Sequence, residues 1–430
     1  MPPPAVVMNM YYTGLGIARS LGEHGVPVIG LTAQHRVYGN FTRYAKTVLC
    51  PDSRNQPEQL LAYLLEMGKK MGNRGVIFPT RDDDVLFLDR YRRELDTYFI
   101  LMVPESSALK CCLDKWETYL CAQRAGVATP RCWLIEAEQD LLRVVPELTY
   151  PCVLKPVSAH DWRKGANWDI VGHRKAIAIL SLKQLLSEYT AIARADQRVL
   201  LQEMIPGGDN GLAIAACYLD RESNWVAGFN TQKLLQVPEG FGTGCIVQAA
   251  ECPELFEPAL RLLQNLHFTG IAEVEFKWNA AKSEYQLIEI NPRPWDQHRL
   301  GKSCGTDLVF LAYCEYAGLS RPPVGTHSSA DKWIAEDAFV EIALRLLWKR
   351  DVKLRALFRL ARGNRIYAIW SARDPLPLVV YWITRFIPRL IATAIRQLWS
   401  TLEGGWATET VAQKKGPRYE RHLGKEKSQG

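Results

Sequence analysis

The sequence predicts a chain of mixed α/β and α+β class that is built from several domains. Its 430 residues exceed what one hydrophobic core usually supports and correspond to about three structural units. A hydrophobic content of 47% and a charged content of 23% are those of an ordinary globular protein. Buried strands alternate with helices in the first hundred residues, whereas the strands after residue 200 form hairpins. This contrast predicts a parallel sheet followed by antiparallel sheets.

The first part of the chain reads as an open, Rossmann-like α/β sheet. Short apolar runs bounded by glycine and proline are typical of buried parallel strands, and leucines at helical spacing predict the helix between them. The sequence Gly14-Leu15-Gly16 lacks the third glycine of a dinucleotide fingerprint, so a nicotinamide cofactor is not expected. The predicted elements are a strand at 4–8, a turn at Gly14 and Gly16, a helix at 17–21, and strands at 27–31 and 75–79.

A helix with clear boundaries follows between two prolines. Asp114 is expected to cap its N-terminus, with Glu117 completing a capping box, and Gly126 stands just past its end. Lys115 would then be the first residue of the helix, where the dipole disfavours a cation unless an anion lies nearby. Lys155 lies in the short apolar strand CVLKP and either extends to solvent or meets an anion. Taken alone, either lysine is more simply a solvent-exposed side chain.

Residues 273–293 carry the strongest local pattern, because two strands joined by a turn alternate between apolar and polar positions. Matching the two apolar faces excludes a shift of the pairing by one residue, because such a shift would turn the apolar residues of the second strand away from the core. Only shifts by two residues remain open. The predicted apolar face contains Ala272, Val274, Phe276, Trp278, Ile288 and Ile290.

The same register places Glu275, Glu289 and Asn291 together on the opposite face. Two carboxylates and an amide oxygen are hard ligands of the kind that Mg²⁺ prefers when nucleotide phosphates complete its coordination. The pattern therefore predicts a magnesium and nucleotide site. The alternative is a solvated sheet face on which Lys277 is the partner of the glutamates.

Segment 198–210 (RVLLQEMIPGGDN) is an apolar strand that runs through Gln202 and Glu203 into a Pro-Gly-Gly turn. A strand edge followed by polar side chains can bind a purine and its ribose. By itself the segment is only a strand that enters a turn, and the order of the motifs along the chain is what favours a nucleotide.

These motifs follow one another in the order and approximate spacing of the ATP-grasp superfamily. Over about residues 5 to 310 the chain resembles the predicted carboxylate-amine ligases related to D-aspartate ligase and, more distantly, to biotin carboxylase. The segments that carry the resemblance are GLGIARSLGEHGVPVIGL, VIFPTRDDD, DKWETYLCAQRAGVATP, CVLKP, LLQEMIPGG, GFGTGC and LIEINPRPW.

The resemblance implies an ATP-grasp fold in which ATP lies between two α+β subdomains. It also implies a role for each matching residue. Lys115 and Lys155 would contact phosphates, Gln202, Glu203 and Ile205 would surround adenine or ribose, Asp209 would be a further ribose contact, Glu275, Glu289 and Asn291 would hold Mg²⁺ or Mn²⁺, and Arg293 and Lys233 would face the transferred phosphoryl group and the acyl phosphate.

Five segments are predicted on this basis. They are an N-terminal α/β domain preceding the ATP-grasp domain (1–107), the ATP-grasp lid subdomain (108–200), the catalytic, metal-binding subdomain (201–328), a helical, basic and amphipathic appendage (329–402) and a disordered tail (403–430).

The implied activity is ATP- and Mg²⁺-dependent ligation of a small-molecule carboxylate to an amine through an acyl phosphate. A small-molecule kinase on the same fold and a non-catalytic nucleotide-binding scaffold remain alternatives. One departure from the family concerns the lid at 157–176, which is bulky where the family has a glycine-rich loop, so that Arg163, Lys164 or Lys175 would have to replace backbone N–H contacts.

Outside the motifs, Arg19, Arg81 and Asp82 are candidates for contacting a substrate carboxylate or amine, although surface charges near loop ends are the simpler interpretation. The net charge of +7 is expected to be spread over the chain and gives no reason to expect nucleic acid. The sequence leaves open whether the protein forms homo-oligomers.

A cytoplasmic location is expected, because the first basic residue is Arg19 and no secretory signal is recognisable. Segment 374–399 combines apolar residues with arginines. It is predicted either to pack on the protein's own body or on another subunit, or to make a peripheral contact with a membrane.

Overall fold

The computed structural model describes residues 2–325, 330–389 and 391. One compact unit extends to Tyr381, and a second begins at Trp382. The strands are β1 Ala5–Met8, β2 Val28–Thr32, β3 Lys46–Leu49, β4 Gly75–Phe78, β5 Phe99–Leu101, β6 Cys132–Ile135, β7 Cys152–Pro156, β8 Ile177–Ile179, β9 Val199–Glu203, β10 Leu212–Leu219, β11 Trp225–Val237, β12 Thr243–Ala250, β13 Gly270–Asn279, β14 Glu284–Asn291, β15 Lys332–Ile334 and β16 Arg365–Tyr367.

Helices connect these strands and cover the sheets. They are α1 Tyr12–Gly22, α2 Pro57–Met71, α3 Asp82–Arg90, α4 Arg92–Leu95, α5 Ser106–Leu113, α6 Lys115–Arg124, α7 Glu138–Val144, α8 Ala159–Arg163, α9 Asn167–Ile170, α10 Leu182–Ile192, α11 Phe256–Asn265, α12 Arg299–Ser303, α13 Leu308–Tyr316, α14 Glu336–Trp348, α15 Lys353–Leu360 and α16 Leu376–Tyr381, with short 3₁₀ turns at Tyr38–Phe41, Val145–Glu147, Asp209–Gly211 and Pro253–Leu255.

The N-terminal sheet is parallel, and its five strands are arranged in the order β3-β2-β1-β4-β5. The predicted turn at Gly14 and Gly16 is wrong, because both glycines lie inside α1. Their missing side chains serve close packing instead. A Cβ on Gly14 would lie 1.8 Å from the Asn9 carbonyl oxygen, and one on Gly16 would lie 2.6 Å from His298 Nε2. These contacts are tertiary, so the local sequence could not reveal them.

Two further sheets form the rest of the compact unit. An antiparallel sheet of four strands has the order β6-β9-β7-β8, and a sheet of seven strands has the order β14-β13-β10-β11-β12-β15-β16. The small and apolar residues on one face of β10 and β13 are buried against α11 in a common core. The other face of β13 is therefore left for charged side chains.

The predicted helical appendage at 329–402 is wrong in part, because two of its segments are strands. β15 pairs antiparallel with β12, and β16 pairs parallel with β15, so both extend the seven-stranded sheet. Of the predicted amphipathic segment 374–399, the described residues form α16 and a π-helical turn at Trp382–Phe386. Its membrane contact stays a prediction. The predicted disordered tail at 403–430 lies outside the described residues.

A helix that crosses a lipid bilayer needs about 20 consecutive, mostly apolar residues. Among residues 2–325, 330–389 and 391, none of the helices combines the length and apolar character needed to cross a membrane.

Candidate active site

A cavity of about 300 Å³ lies where the N-terminal sheet, the segment after β7 and the seven-stranded sheet meet. Its lining is strongly charged, with eight Lys or Arg residues and five Asp or Glu residues. Such a volume is within the range of small-molecule sites. Six of the predicted site residues line this cavity, namely Lys115, Lys233, Glu275, Glu289, Asn291 and Arg293.

The predicted pairing of the two glutamates is observed, because Glu275 on β13 lies directly opposite Glu289 on β14. The expected apolar face is correct for Ile290 but wrong for Ile288. A bulge between Glu275 and Phe276 pairs Phe276 with Leu287, and Leu287 takes the buried position. The bulge lies just beyond the glutamate pair, so it changes the register of the strands without separating the carboxylates.

Lys233 on β11 donates a hydrogen bond to the Glu275 carboxylate, and both side chains are buried. Burial alone would lower the pKa of Lys233, but the negative charge of Glu275 and the hydrogen bond to it raise this pKa above its usual range. Lys233 therefore stays protonated and neutralises a carboxylate that would otherwise be costly to bury.

Glu289 lies among positive charges from four parts of the fold. Burial opposes its ionisation, yet Lys115, Lys233, Lys155 and Lys175 together lower the pKa of Glu289 to about 2. The Glu289 carboxylate is consequently negative at any physiological pH. Of the three glutamates on this sheet face, Glu289 is the one whose ionised form the surrounding charges stabilise most.

Glu273 was missed in the sequence analysis. It pairs with Asn291 across the two strands, and Asn291 Nδ2 donates to Glu273 Oε2 at 2.9 Å and to Glu289 Oε1 at 3.3 Å. Burial raises the pKa of Glu273 to about 8, so this carboxyl holds a proton at neutral pH. The alternation that identified Glu275 also placed Glu273 on the same face and could have found it.

Arg293 connects the glutamate strands with the N-terminal sheet. Its Nε donates to Asp82 Oδ1 at 2.8 Å, and its Nη2 donates to Asn291 Oδ1 at 3.3 Å. Asp82 therefore lines the cavity, as expected of a candidate substrate contact. Its carboxylate is, however, already paired with the Arg293 guanidinium. Arg81 also lines the cavity and is bound to Asp52 and Asp84.

Arg19 is wrong as a candidate substrate contact, because it is completely buried away from the cavity lining. Its Nε donates to Asp374 Oδ2 at 2.9 Å, and its Nη2 donates to the carbonyl oxygens of Ile369 and Asp374. The side chain ties α1 to the segment after β16.

The two lysines predicted for phosphates lie on adjacent elements. Lys115 begins α6, and Asp114 caps this helix by accepting hydrogen bonds from Trp116 N and Glu117 N, as predicted. The Glu117 carboxylate pairs with Lys110 instead of completing a capping box.

Lys155 is buried in β7, where burial and the charge of Lys115 lower its pKa to about 8. Lys115 lines the cavity, whereas Lys155 is not among the lining residues. In the described part of the chain, no carboxylate lies within 4 Å of either lysine.

The remaining predicted nucleotide contacts do not line the cavity. Gln202 and Ile205 are buried, and Glu203 forms an ion pair with Arg131 at 2.6 Å. Asp209 accepts hydrogen bonds from the Gln236 side chain at 3.0 Å and from two backbone N–H groups.

Lys277, the alternative partner of the glutamates, turns away from them. Its Nζ donates to the carbonyl oxygens of Ile205 and Gly207, each at 3.0 Å. The interpretation of the glutamate cluster as a solvated sheet face with Lys277 as counterion is therefore wrong.

The bulky segment at 157–176 folds into the short helices α8 and α9 and covers one side of the cavity. His160 Nδ1 lies 2.6 Å from Asp83 Oδ1 at the start of α3, and Arg54 holds the second oxygen of Asp83. Lys175 Nζ donates to Thr243 Oγ1 at 2.9 Å. The segment is thus anchored to the N-terminal sheet and to β12 by side chains, where the family pattern has glycine-rich backbone.

The oxygen donors on β13 and β14 fit a hard divalent cation by their chemistry. Glu289 is ionised and Glu275 lies opposite it. Asn291 contacts Glu289 through its Nδ2, and its Oδ1 accepts a hydrogen bond from Arg293 Nη2. In the parts of the chain that are described, no three His, Cys, Asp or Glu side chains converge on a common point as a preformed metal site requires. Lys233 supplies the positive charge next to Glu275 in this structure.

The chain is similar in sequence to an ATP-binding family and to a ligase. Residues 114–314 match the family model of the carbamoyl-phosphate synthase L chain, ATP-binding domain. The chain is 21% identical over 300 residues to D-aspartate ligase of Enterococcus faecium, which covers 66% of this chain and 69% of that protein.

Two solved structures show the same fold. Biotin carboxylase of Campylobacter jejuni, solved as a complex with β,γ-ATP, aligns with a TM-score of 0.60 at 16% identity and covers 76% of this chain and 74% of its own. The L-amino acid ligase of Bacillus licheniformis aligns with a TM-score of 0.57 at 14% identity and covers 73% and 74%. These likenesses confirm the resemblance stated from the motifs and the mixed α/β ATP-grasp fold.

Proposed function

We propose that this protein is an ATP- and Mg²⁺-dependent ligase that joins a carboxylate to an amine, releases ADP and phosphate, and forms an acyl phosphate on the way. The observation that carries the proposal is the cavity in which Glu275 and Glu289 lie opposite each other while four lysines hold Glu289 ionised. The similarity to D-aspartate ligase and to the L-amino acid ligase supports a substrate of amino-acid size.

The reaction needs two steps, because an amine cannot expel oxide from a carboxylate. A carboxylate oxygen first attacks the γ-phosphorus of ATP, and the bond to ADP breaks. The amine nitrogen then attacks the acyl carbon, phosphate leaves, and the nitrogen loses a proton. Negative charge accumulates on the transferred phosphoryl group in the first step and on the carbonyl oxygen in the second.

Positively charged side chains that line the cavity, together with Lys155 in β7 beside Lys115, are suited to stabilise both charges. Lys115 and Lys155, which lack carboxylate partners among the described residues, would hold the phosphates of ATP. Lys233 and Arg293 would face the transferred phosphoryl group and the oxyanion. Each is held in place by a carboxylate, Glu275 in one case and Asp82 in the other, so neither needs to reorganise during the reaction.

Magnesium would supply further positive charge at the phosphates, and Glu275, Glu289 and Asn291 would hold it. Gln202, Glu203 and Ile205 are the proposed contacts of adenine or ribose, and Asp209 is a further proposed contact of the ribose. These four lie beyond the cavity lining, so the proposal depends on the phosphate end of the site and not on them.

The test is the release of ADP and phosphate by the purified protein with Mg·ATP. Pooled carboxylates are supplied with and without pooled amines, so that the reaction class is tested before the substrate. Glu289→Gln should abolish release, whereas the matched change Glu284→Gln, on the same strand but outside the cavity lining, should leave it unchanged.

Each outcome has a distinct meaning. Release that requires both pools and disappears in the Glu289 variant supports a ligase, and release with one pool alone indicates a kinase. Full activity of Glu289→Gln would contradict the site. If no pool elicits release and Mg·ATP does not bind, the proposal of an ATP site is wrong.

A further inference from the structure

A helical hairpin outside the matched family region presents an apolar and strongly basic surface to solvent. The hairpin is formed by α14 and α15, and we call its outer part, residues 344–362 from the last turns of α14 to just past the end of α15, the basic hairpin. Between 345 and 362 it contains seven Lys or Arg residues and one acidic residue. The expectation that the +7 net charge is spread along the chain is therefore wrong for this segment.

The hairpin's attachment to the sheet does not need its exposed apolar residues. Leu357 of α15 and Ala361, which caps its C-terminus, are buried with Ile246 of β12 and Ile334 of β15. Helix α14 adds a row of partly buried residues to this core. The side chains that remain exposed are Leu344, Leu347, Trp348, Val352, Phe358 and Leu360.

These exposed residues are concentrated at the tip of the hairpin. Leu344, Leu347 and Trp348 are spaced by three and four residues and so form one stripe on α14. Trp348 is 66% exposed and Val352, in the turn, is 86% exposed. Isolated exposed apolar residues need no explanation, but a stripe that ends in an exposed Trp and Val indicates a binding surface.

The cations around the tip are nearly all uncompensated. Arg345 pairs with Glu341 at 3.4 Å on the exposed face of α14. In the described part of the chain, no carboxylate lies within 4 Å of the other six basic side chains of the hairpin, which are Lys349, Arg350, Lys353, Arg355, Arg359 and Arg362. A partner for this surface must be anionic as well as apolar.

We propose that the basic hairpin docks on an anionic lipid surface, with Leu347, Trp348 and Val352 in the acyl boundary and the cations at the headgroups. An apolar tip flanked by Lys and Arg is the arrangement of an interfacial helix. A second copy of the chain is disfavoured, because a two-fold interface here would bring two basic surfaces together. Nucleic acid is disfavoured because aliphatic side chains gain little against phosphates and sugars. None of the residues of the basic hairpin lines the proposed catalytic cavity.

The test is co-sedimentation of the full-length protein with vesicles of phosphatidylglycerol and phosphatidylcholine, beside vesicles of phosphatidylcholine alone. The wild type should sediment with the anionic vesicles and be released by high salt. Trp348→Ser/Val352→Ser should reduce binding about tenfold or more, because it removes most of the inserted apolar area. Lys349→Glu/Lys353→Glu should abolish it.

Matched controls carry the same changes at exposed positions elsewhere. These controls are Trp225→Ser/Leu142→Ser and Lys69→Glu/Lys282→Glu, and both should bind as the wild type does. The proposal is overturned if the wild type ignores anionic vesicles, if the hairpin variants still bind, or if the controls lose binding equally. Retention of a duplex DNA or RNA probe without vesicle binding would assign the surface to nucleic acid and overturn it as well. ADP release, measured in parallel, should be unchanged in all four variants.

Discussion

Removing the carboxylate of Asp374 should destabilise the protein strongly without affecting its chemistry. Arg19 is completely buried, and Asp374 is 2% exposed. Asp374 accepts hydrogen bonds from Arg19 Nε at 2.9 Å, from Thr42 Oγ1 at 2.7 Å and from Arg43 N at 3.0 Å. The substitution Asp374→Ala would leave a buried guanidinium whose Nη1 already lacks a hydrogen-bond partner among the described residues.

The magnitude follows from the burial of both partners. Breaking a buried ion pair by removing one partner costs about 3–5 kcal/mol. Unfolding entropy is about 2.1 cal/mol/K per residue, so a chain of 430 residues that unfolds as a unit loses about 1 °C in Tm for each kcal/mol. We expect Asp374→Ala to lower Tm by about 3–6 °C.

Thermal unfolding measured by calorimetry, beside ADP release, is the assay. The double variant Arg19→Met/Asp374→Leu should recover much of the lost stability, because it removes both charges together. A Tm within about 1 °C of the wild type for Asp374→Ala would refute the reasoning. An Arg19→Met variant that keeps its Tm but loses ADP release would also refute it, because that result would indicate that Arg19 contacts the substrate.

Three further predictions concern the cavity. Asp114→Ala should lower the free energy of unfolding by about 1 kcal/mol, because it removes the N-terminal cap of α6. It should also raise the KM for ATP with little change in kcat, because Lys115 loses its fixed position. An unchanged KM in steady-state kinetics would contradict this. Glu273→Gln should keep near-wild-type ADP release at pH 7, where burial already keeps this carboxyl protonated, and should differ from the wild type only above about pH 8; a large loss at pH 7 would show that the carboxylate form is needed. The pair of His160 and Asp83 should stabilise the folded protein most between about pH 4 and 6.5. The pKa of His160 is raised, so its contribution to stability is lost as pH rises through that pKa, and the pKa of Asp83 is lowered, so its contribution is lost as pH falls through that pKa. A His160→Gln variant whose loss of Tm relative to the wild type did not shrink between pH 6 and pH 9 would refute the pairing.

Much of the glutamate cluster could be predicted from the sequence, because a strand has only two faces. Once one face of β13 was known to be apolar, the position of Glu275 opposite Glu289 followed. The bulge that places Leu287 instead of Ile288 in the core could not be predicted, since both residues are apolar and the choice depends on the neighbouring helices. Glu273 was within reach of the same argument and was overlooked.

Contacts between distant segments could not be read from the sequence. The pair of Arg19 and Asp374 joins residues 355 positions apart, and nothing near Arg19 distinguishes a buried arginine from a surface one. Likewise β15 and β16 have three residues each, which is too short for a recognisable pattern. β15 forms because β12 offers it a partner, and β16 forms because β15 does.

The addition of β15 to the seven-stranded sheet bears on where the chain can be shortened. β12 would have unpaired backbone N–H and C=O groups along one side if the chain ended at residue 325, because Ala335 N and the Asp331 carbonyl now bond to Cys245 and Ala249. A long edge strand of this kind is a template for pairing with other chains. A version of the chain that ends at residue 325 is therefore expected to aggregate, although every residue that lines the cavity would still be present.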